Sequence, residues 1–177
     1  PIKSAAASDV YKRQGALLLF LCMAALPSCN NLGCLDNRSS IPLAGFYASN
    51  TDPVSSIAID SISVYGLHQP ADSMLLDSAT AVSRLYLPLR STDNSTQYVI
   101  RYLQHDLSSA RYNDTITFVY QSYPYFESID CGAMYRYRID TCMYTRNILD
   151  SVGMVRTEID NKEFESIRIF YVVQLEE

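Results

Sequence analysis

The chain of 177 residues is long enough to bury one hydrophobic core, and its balance of 48% hydrophobic and 19% charged residues excludes extended disorder. Its formal net charge of −5, without a basic stripe, excludes a nucleic-acid-binding protein. Fourteen tyrosines, no tryptophan and only six glycines favour a strand-rich protein, because aromatic side chains suit a pleated, half-buried surface.

The N-terminal segment SAAASDVYKRQ, residues 4–14, resembles a translated sequencing-adapter fragment. We therefore expect residues 1–14 to be an artefact of the gene sequence and the initiator methionine to be missing. These residues carry no argument about the fold.

An apolar run, ALLLFLCMAAL, follows at residues 16–26. It is shorter than the about 20 residues that cross a bilayer, and its length is typical of a secretory signal peptide. A buried helix is disfavoured because the run is apolar on all sides and ends at Pro27. The next residues complete LPSC, which resembles the lipobox of bacterial lipoproteins. We predict that residues 15–28 are a signal peptide and that Cys29 carries a lipid.

The predicted signal places the protein in the cell envelope. Surface-exposed lipoproteins of Bacteroides-type bacteria often carry an acidic run after the lipidated cysteine, whereas NNLGC follows here. We therefore predict a lipid anchor in the outer membrane with the protein facing the periplasm; the alternative is the cell surface. A lipidated tether, residues 29–41, would precede a single domain, residues 42–177.

The predicted domain divides into short apolar runs separated by Asp, Asn, Ser, Gly and Pro. Alternation of apolar and polar residues predicts an all-β protein, an antiparallel β-sandwich of about eight or nine strands, immunoglobulin-like or transthyretin-like. A closed barrel is the second choice, and a helical turn is considered for pieces such as residues 70–76. The predicted strands are 43–49, 56–65, 73–76, 82–89, 97–104, 115–121, 134–140, 152–159 and 166–175. The predicted core positions are Ile57, Ile59, Ile62, Val64, Ile116, Phe118, Tyr120, Ile167, Ile169, Tyr171 and Val173.

The five cysteines are expected to have different roles. Cys22 would leave with the signal peptide and Cys29 would be lipidated, so three thiols would remain in an oxidising compartment. A disulfide between Cys34 and Cys131 would tie the tether to the domain. The alternative joins Cys131 to Cys142, if these residues lie on adjacent strands.

No catalytic motif is present in the sequence: there is no G-x-S-x-G elbow, P-loop, dinucleotide fingerprint or H-E-x-x-H. His68 and His105 lie in polar segments, where a solvated side chain is usual. Neither is close to a cysteine, and the aspartates lack the order of a calcium loop. We therefore predict no catalytic residues, no metal and no cofactor.

An Asp-Ser or Asp-Thr pair followed by a small or aliphatic residue recurs along the chain. The pattern resembles the sequon for O-glycosylation in Bacteroides-type bacteria. It is also how a turn enters a strand, since Asp bonds to nearby backbone amides. The candidate glycosylated residues are Ser61, Ser73, Ser78, Thr115 and Ser151.

Tyrosines and arginines cluster in YQSYPYFES, residues 120–128, and in MYRYR, residues 134–138. Exposed tyrosines beside arginines are good anchors for a protein partner or a glycan. Alternating Tyr and Arg also occurs on an ordinary half-buried strand. The candidate partner-binding residues are Tyr123, Tyr125, Phe126, Tyr135 and Tyr137.

Several short motifs occur in an order that resembles a family of uncharacterised Bacteroides-type lipoproteins known only as a domain of unknown function. The likeness covers about residues 29–177. It implies one β-rich domain, a lipid anchor, the disulfide between Cys34 and Cys131 and a partner in the envelope, with Cys142 as a departure from the family. The motifs are FYAS, SISVYG, LPL, DTITFVY, the Cys131-Gly132 pair, TRNILDSV and the closing IRIFY.

Together these features predict a non-enzymatic, lipid-anchored binding or accessory protein of the cell envelope, which would contact the membrane through its lipid and an outer-membrane or other envelope protein through its surface. The alternative is a periplasmic or surface hydrolase or glycan-processing enzyme.

Overall fold

The computed structural model describes residues 40–67, 73–128 and 132–174, which belong to a compact unit spanning Cys34–Glu177. The predicted artefact, signal peptide and lipidation site lie outside the described residues. The described strands are β1 (Leu43–Ala48), β2 (Ile62–Gly66), β3 (Ser73–Ala79), β4 (Arg84–Tyr86), β5 (Ser95–Tyr102), β6 (Asp114–Ser128), β7 (Gly132–Tyr144), β8 (Leu149–Met154), β9 (Glu158–Ile159) and β10 (Glu165–Tyr171). Two 3-10 turns lie at His105–Leu107 and Ala110–Tyr112.

The strands form two sheets, one of four strands in the order β4-β1-β10-β8 and one of six in the order β3-β2-β5-β6-β7-β9. The predicted β-sandwich is thereby confirmed, and the sheets do not close into a barrel. One pairing departs from the antiparallel prediction: β1 lies parallel to β10. There is also one more strand than the nine predicted runs, because residues 152–159 divide between β8 and β9, which lie in different sheets.

The core lies between the sheets and is built from residues that alternate along β2, β6 and β10. Side chains alternate in this way because each inward position along a pleated strand is followed by an outward one. Most of the predicted core is therefore confirmed. Ile57 and Ile59 lie outside the regular strands and are only partly buried against the core, and Val173 lies beyond the end of β10. The buried predicted positions are Ile62, Val64, Ile116, Phe118, Tyr120, Ile167, Ile169 and Tyr171.

Three predicted elements differ from the structure. Residues from Ser73 onwards form strand β3, so the helical turn considered at 70–76 is wrong for its described part. Strands β6 and β7 are much longer than the predicted 115–121 and 134–140. The presence of Pro124 argues against a central strand, because proline has no N–H to donate to a second neighbour. Beyond Val119, strand β6 pairs with β7 alone among the described strands, so a residue without an N–H is tolerated there.

Asp114 anchors the connection that carries the chain from β7 in one sheet to β8 in the other. Its carboxylate is fully buried. The donors are the hydroxyls of Tyr102 (3.0 Å) and Thr145 (2.7 Å) and the backbone amides of Asn147 (2.8 Å), Ile148 (2.9 Å) and Leu149 (2.8 Å). Tyr102 also contacts the hydroxyl of Tyr171, on the opposite sheet, at 3.1 Å. The carboxylate therefore joins both sheets and the loop between them.

Within the described part of the chain, no helix is long and apolar enough to span a bilayer.

Candidate binding site

Residues 87–91, in the connection between β4 and β5, are held by hydroxyl groups of the six-stranded sheet. Tyr98 donates to the carbonyl of residue 88, Tyr137 to that of residue 89 at 3.2 Å, and Ser122 to that of residue 91 at 3.0 Å. Tyr120 accepts from the amide of Arg90 at 2.9 Å and donates to its carbonyl at 3.0 Å. Four successive backbone positions are thus fixed by side chains.

Beyond this connection the hairpin of β6 and β7 continues as a two-stranded projection, which we call the arm: residues 121–128 of β6 and 132–136 of β7. Strand β5 pairs with β6 only as far as Val119, and β9 pairs with β7 only at Tyr137 and Arg138. Among the described strands, none extends either edge of the sheet along the arm. An isolated two-stranded ribbon is marginally stable in water, so side-chain contacts must support it.

The arm carries aromatic side chains on both of its faces. Directly opposed residues share a face, and the register pairs Tyr123 with Arg136 on one face and Phe126 with Ala133 on the other. Tyr123 is 40% exposed, Phe126 62% and Tyr135 42%. An ordinary half-buried strand exposes only one of its faces, whereas the arm exposes aromatic residues on both, so these three predicted partner-binding residues lie at the surface.

Tyr137 is the exception among the predicted partner-binding residues, because it is only 6% exposed. Its ring lies edge-on to Tyr120, with centroids 5.5 Å apart, and burial raises the pKa of its hydroxyl. Its burial gives no support to the prediction that Tyr137 binds a partner: this residue belongs to the core, where the chain around Leu89 covers it.

The fifth candidate, Tyr125, is half-buried beneath Arg136. The guanidinium carbon lies 3.4 Å from the centre of the ring, a close cation–π contact that stabilises the arm across its two strands. The Nε of Arg136 is buried without a hydrogen-bond partner.

A groove of about 390 Å³ lies beside the arm. Its volume is within the range of small-molecule and peptide sites. No charged side chain is found among its described lining residues, so it suits a neutral, partly apolar occupant. The lining residues are Ser40, Ile41, Pro88, Leu89, Ser91, Ala133, Met134, Tyr135 and Tyr137.

The five candidate glycosylation residues lie at separate places in the fold. Ser73 and Ser78, at the two ends of β3, are exposed, whereas Ser61, Thr115 and Ser151 are half-buried. One preceding aspartate bonds locally, since Asp77 accepts from the hydroxyl of Ser78 at 3.2 Å. Asp60 instead accepts from the amide of Ala81, 21 positions away, at 2.5 Å. Ser61 and Ser78 both have positive φ, at 56° and 47°.

Only some of the cysteines and histidines considered in the sequence lie within the described part of the chain. Cys142 has a free thiol at the far end of the strand that begins at Gly132, so the alternative pairing with Cys131 is not made. Burial raises the pKa of the Cys142 thiol to about 11. Cys29, Cys34, Cys131 and His68 lie outside the described residues. The described His105 is exposed and contacts Asp106 at 3.0 Å.

No group of three or more potential metal ligands occurs within residues 40–67, 73–128 and 132–174. The groove residues from 40–41 and 88–91 were not predicted as site residues. They are far from the arm in sequence and only tertiary packing brings them to it. The LPL motif contained part of this set, but nothing in its composition indicates a groove.

Comparison with known proteins finds a match at the level of the family. No curated protein and no solved structure matches the chain. Residues 61–171, from the start of β2 to the end of β10, match the Family of unknown function (DUF6452). This match covers most of the sandwich, the arm included, and the chain therefore belongs to this family of unknown function.

Proposed function

We propose that this protein is a lipid-anchored binding or accessory module of the bacterial cell envelope, held in the outer membrane through Cys29 and facing the periplasm. The lipobox-like LPSC sequence supports the anchor, and the resemblance to Bacteroides-type lipoproteins supports the compartment. The arm supplies the binding surface. Its partner is an envelope protein.

The observation that carries the binding role is the exposure of aromatic residues on both faces of the arm. Tyr123, Phe126 and Tyr135 offer large apolar surfaces that the fold itself does not bury. Aromatic side chains are enriched among residues that dominate binding energy at protein interfaces, because they bury much area and lose little conformational entropy. The hydroxyls of Tyr123 and Tyr135 add polar specificity.

The surroundings of these residues also favour a protein partner. Exposed aromatic residues lie on both faces of the arm, with Tyr123 on one face and Phe126 and Tyr135 on the other, so a partner has an aromatic contact on either face. The base of the arm is held by the bonds to residues 87–91. A binding element that is already ordered loses less entropy on association.

Crosslinking in envelopes of the native host tests the proposal. The full chain is compared with a variant carrying Tyr123→Ser, Phe126→Ser and Tyr135→Ser, which should fold because these side chains are exposed. The matched control carries Met74→Ser, Phe164→Ser and Val172→Ser, at exposed apolar positions outside the arm. We expect one discrete adduct with the full chain and the control, and at least a tenfold loss with the arm variant. No adduct, or equal adducts in all three proteins, would contradict the proposal.

Three covalent features belong to the same proposal: the lipid on Cys29, a disulfide between Cys34 and Cys131, and O-glycosylation. Exposure favours Ser73 and Ser78 as the glycosylated residues over the half-buried Ser61, Thr115 and Ser151. The intact mass of protein from the native host, with a non-reducing peptide map, measures all three. A mass equal to the polypeptide plus lipid would rule out the glycan, and an unlipidated N-terminus before Cys29 would rule out the anchor.

A further inference from the structure

One face of the arm continues the core-facing side of the six-stranded sheet. Along β7, Ala133 and Tyr135 lie on the same side as the buried Tyr137, because side chains alternate between the faces of a strand. Phe126 of β6 is directly opposite Ala133 and shares this side. The exposed fraction rises from 6% at Tyr137 to 42% at Tyr135 and 62% at Phe126. The cover that residues 87–91 give this side therefore ends between Tyr137 and Tyr135.

The groove beside the arm lies at this boundary. Tyr135 belongs both to the groove and to the exposed surface of the arm. A molecule that contacts the arm at Tyr135 is therefore next to the groove. The groove is lined by this side of β7, at Ala133, Tyr135 and Tyr137, and by the connection between β4 and β5, at Pro88, Leu89 and Ser91.

The described lining of the groove is uncharged, although an arginine lies between two of its residues in sequence. The guanidinium of Arg90 donates instead to the carboxylate of Asp93 at 3.1 Å and to the carbonyl of Leu67. A charged group placed in the groove would lose hydration and would meet no counter-charge among the described lining residues. The groove therefore favours an uncharged occupant.

A buried hydroxyl at the groove lacks a hydrogen bond. Ser40 lines the groove and is 3% exposed, and its Oγ has no hydrogen-bond partner. Native proteins rarely leave such a group unsatisfied, because it has given up its bonds to water. A peptide backbone offers both donors and acceptors to a hydroxyl, whereas a hydrocarbon offers neither. The groove therefore favours an occupant that carries polar backbone groups.

We propose that the groove receives an uncharged segment of the arm's protein partner, which inserts one apolar side chain beside Tyr135. This inference rests on the binding role proposed for the arm. A volume of about 390 Å³ admits a single large side chain and part of its backbone. Because contacts at Phe126 and Tyr135 hold the partner next to the groove, insertion of the segment is an intramolecular step and costs less entropy.

The arm and the groove then contribute differently to recognition. The exposed aromatic residues of the arm supply contact area, which many partner sequences could match. The groove selects the segment, because a charged side chain at the inserted position would be desolvated without compensation. The partner therefore carries an aliphatic or aromatic residue at that position.

Titration of the full chain with blocked amino acids, followed by amide NMR, tests the groove without the partner. The uncharged probes are N-acetyl-leucinamide and N-acetyl-tyrosinamide, and the charged probe is the α-amide of N-acetylaspartate. With the uncharged probes at millimolar concentration, we expect saturable shifts of the amides that line the groove. The charged probe should shift none of them. The amides to follow are those of Leu89, Ser91, Ala133 and Tyr135.

A charge introduced into the groove should abolish these shifts, and Ala133→Glu introduces one. The matched control is Thr141→Glu, at an exposed position of β7 outside the arm, which should leave the shifts unchanged. The amides of Ile167 and Ile169 in the core report whether each variant is folded. Equal shifts with the charged probe, or no shifts with any probe, would overturn the proposal.

Crosslinking in envelopes of the native host tests the source of the occupant. We expect Ala133→Glu to lower the yield of the arm's adduct at least about tenfold and Thr141→Glu to leave it unchanged. An adduct that survives Ala133→Glu but is lost from the variant at Tyr123, Phe126 and Tyr135 would overturn this inference and leave the binding role of the arm intact. Absence of any adduct, with the probes still bound in the groove, would contradict that role and with it the partner as the source of the occupant.

Discussion

The tyrosines of the sandwich core and those of the arm are the same residue type in opposite surroundings. In the core, Tyr98, Tyr102 and Tyr120 are buried with their hydroxyls bonded to backbone groups, a carboxylate or another hydroxyl. In the arm, Tyr123 and Tyr135 are 40% and 42% exposed. The hydroxyls of the core tyrosines thus form hydrogen bonds with polar groups inside the protein. The arm tyrosines leave their rings available to another molecule.

This difference teaches that a high tyrosine content does not by itself indicate a binding protein. A buried tyrosine contributes apolar area and also satisfies a backbone group that would otherwise lack a partner. Residues 87–91, which have no strand partner for most of their length, are satisfied in this way. Only the tyrosines that the fold leaves unburied are candidates for recognition.

The largest expected effect comes from removing the carboxylate that the core tyrosine Tyr102 contacts. Asp114→Ala removes the buried acceptor of three backbone amides and two hydroxyls, and we expect the free energy of unfolding to fall by about 4 kcal/mol. Urea denaturation measures it. Asp140→Ala, at an exposed carboxylate, is the control and should change it by less than about 0.5 kcal/mol. Similar values for the two variants would show that Asp114 does not anchor the fold.

Alkaline pH should destabilise the core through its tyrosines. Burial raises the pKa of Tyr98, Tyr102 and Tyr171 above the usual value of 10.0. Because the folded state favours the neutral form, the stabilisation is fully present below pH 10 and is lost as the pH rises further. Each residue should contribute about 1 kcal/mol of loss between pH 10 and 11, or about 3 kcal/mol in total.

Urea denaturation from pH 8 to 11 checks this dependence. Tyr171→Phe removes one of these three hydroxyls and should reduce their share of the loss by about a third. A free energy of unfolding that stays constant to pH 11 would contradict the role assigned to these buried hydroxyls.

The smallest expected effect comes from a pair of substitutions that removes one hydroxyl from the core and one from the arm. This pair compares the two regions most directly. Tyr120→Phe deletes the group that bonds both the amide and the carbonyl of Arg90, and should cost about 2 kcal/mol. Tyr123→Phe deletes an exposed hydroxyl that donates to the side chain of Gln121 and should cost less than about 0.5 kcal/mol. Thermal or urea unfolding measures both. Equal costs would remove the distinction between core and arm.

Sequence alone determined the class of the fold and much of its core. Residues Ile116, Phe118 and Tyr120 alternate with outward-facing neighbours, and that period of two is a local property of a pleated strand that needs no knowledge of the partner strands. The two sheets, the parallel pairing of β1 with β10 and the division of residues 152–159 depend on contacts between distant residues. Periodicity contains no information about them.

Tertiary structure alone decided which tyrosines form the candidate site. Tyr135 and Tyr137 lie two positions apart on one face of β7, each between arginine or methionine neighbours, and their local sequences predict the same role. Tyr137 is 6% exposed because the chain around Leu89 covers it, while Tyr135 is 42% exposed. Burial depends on where a distant segment passes, and the residues next to a tyrosine do not encode that position.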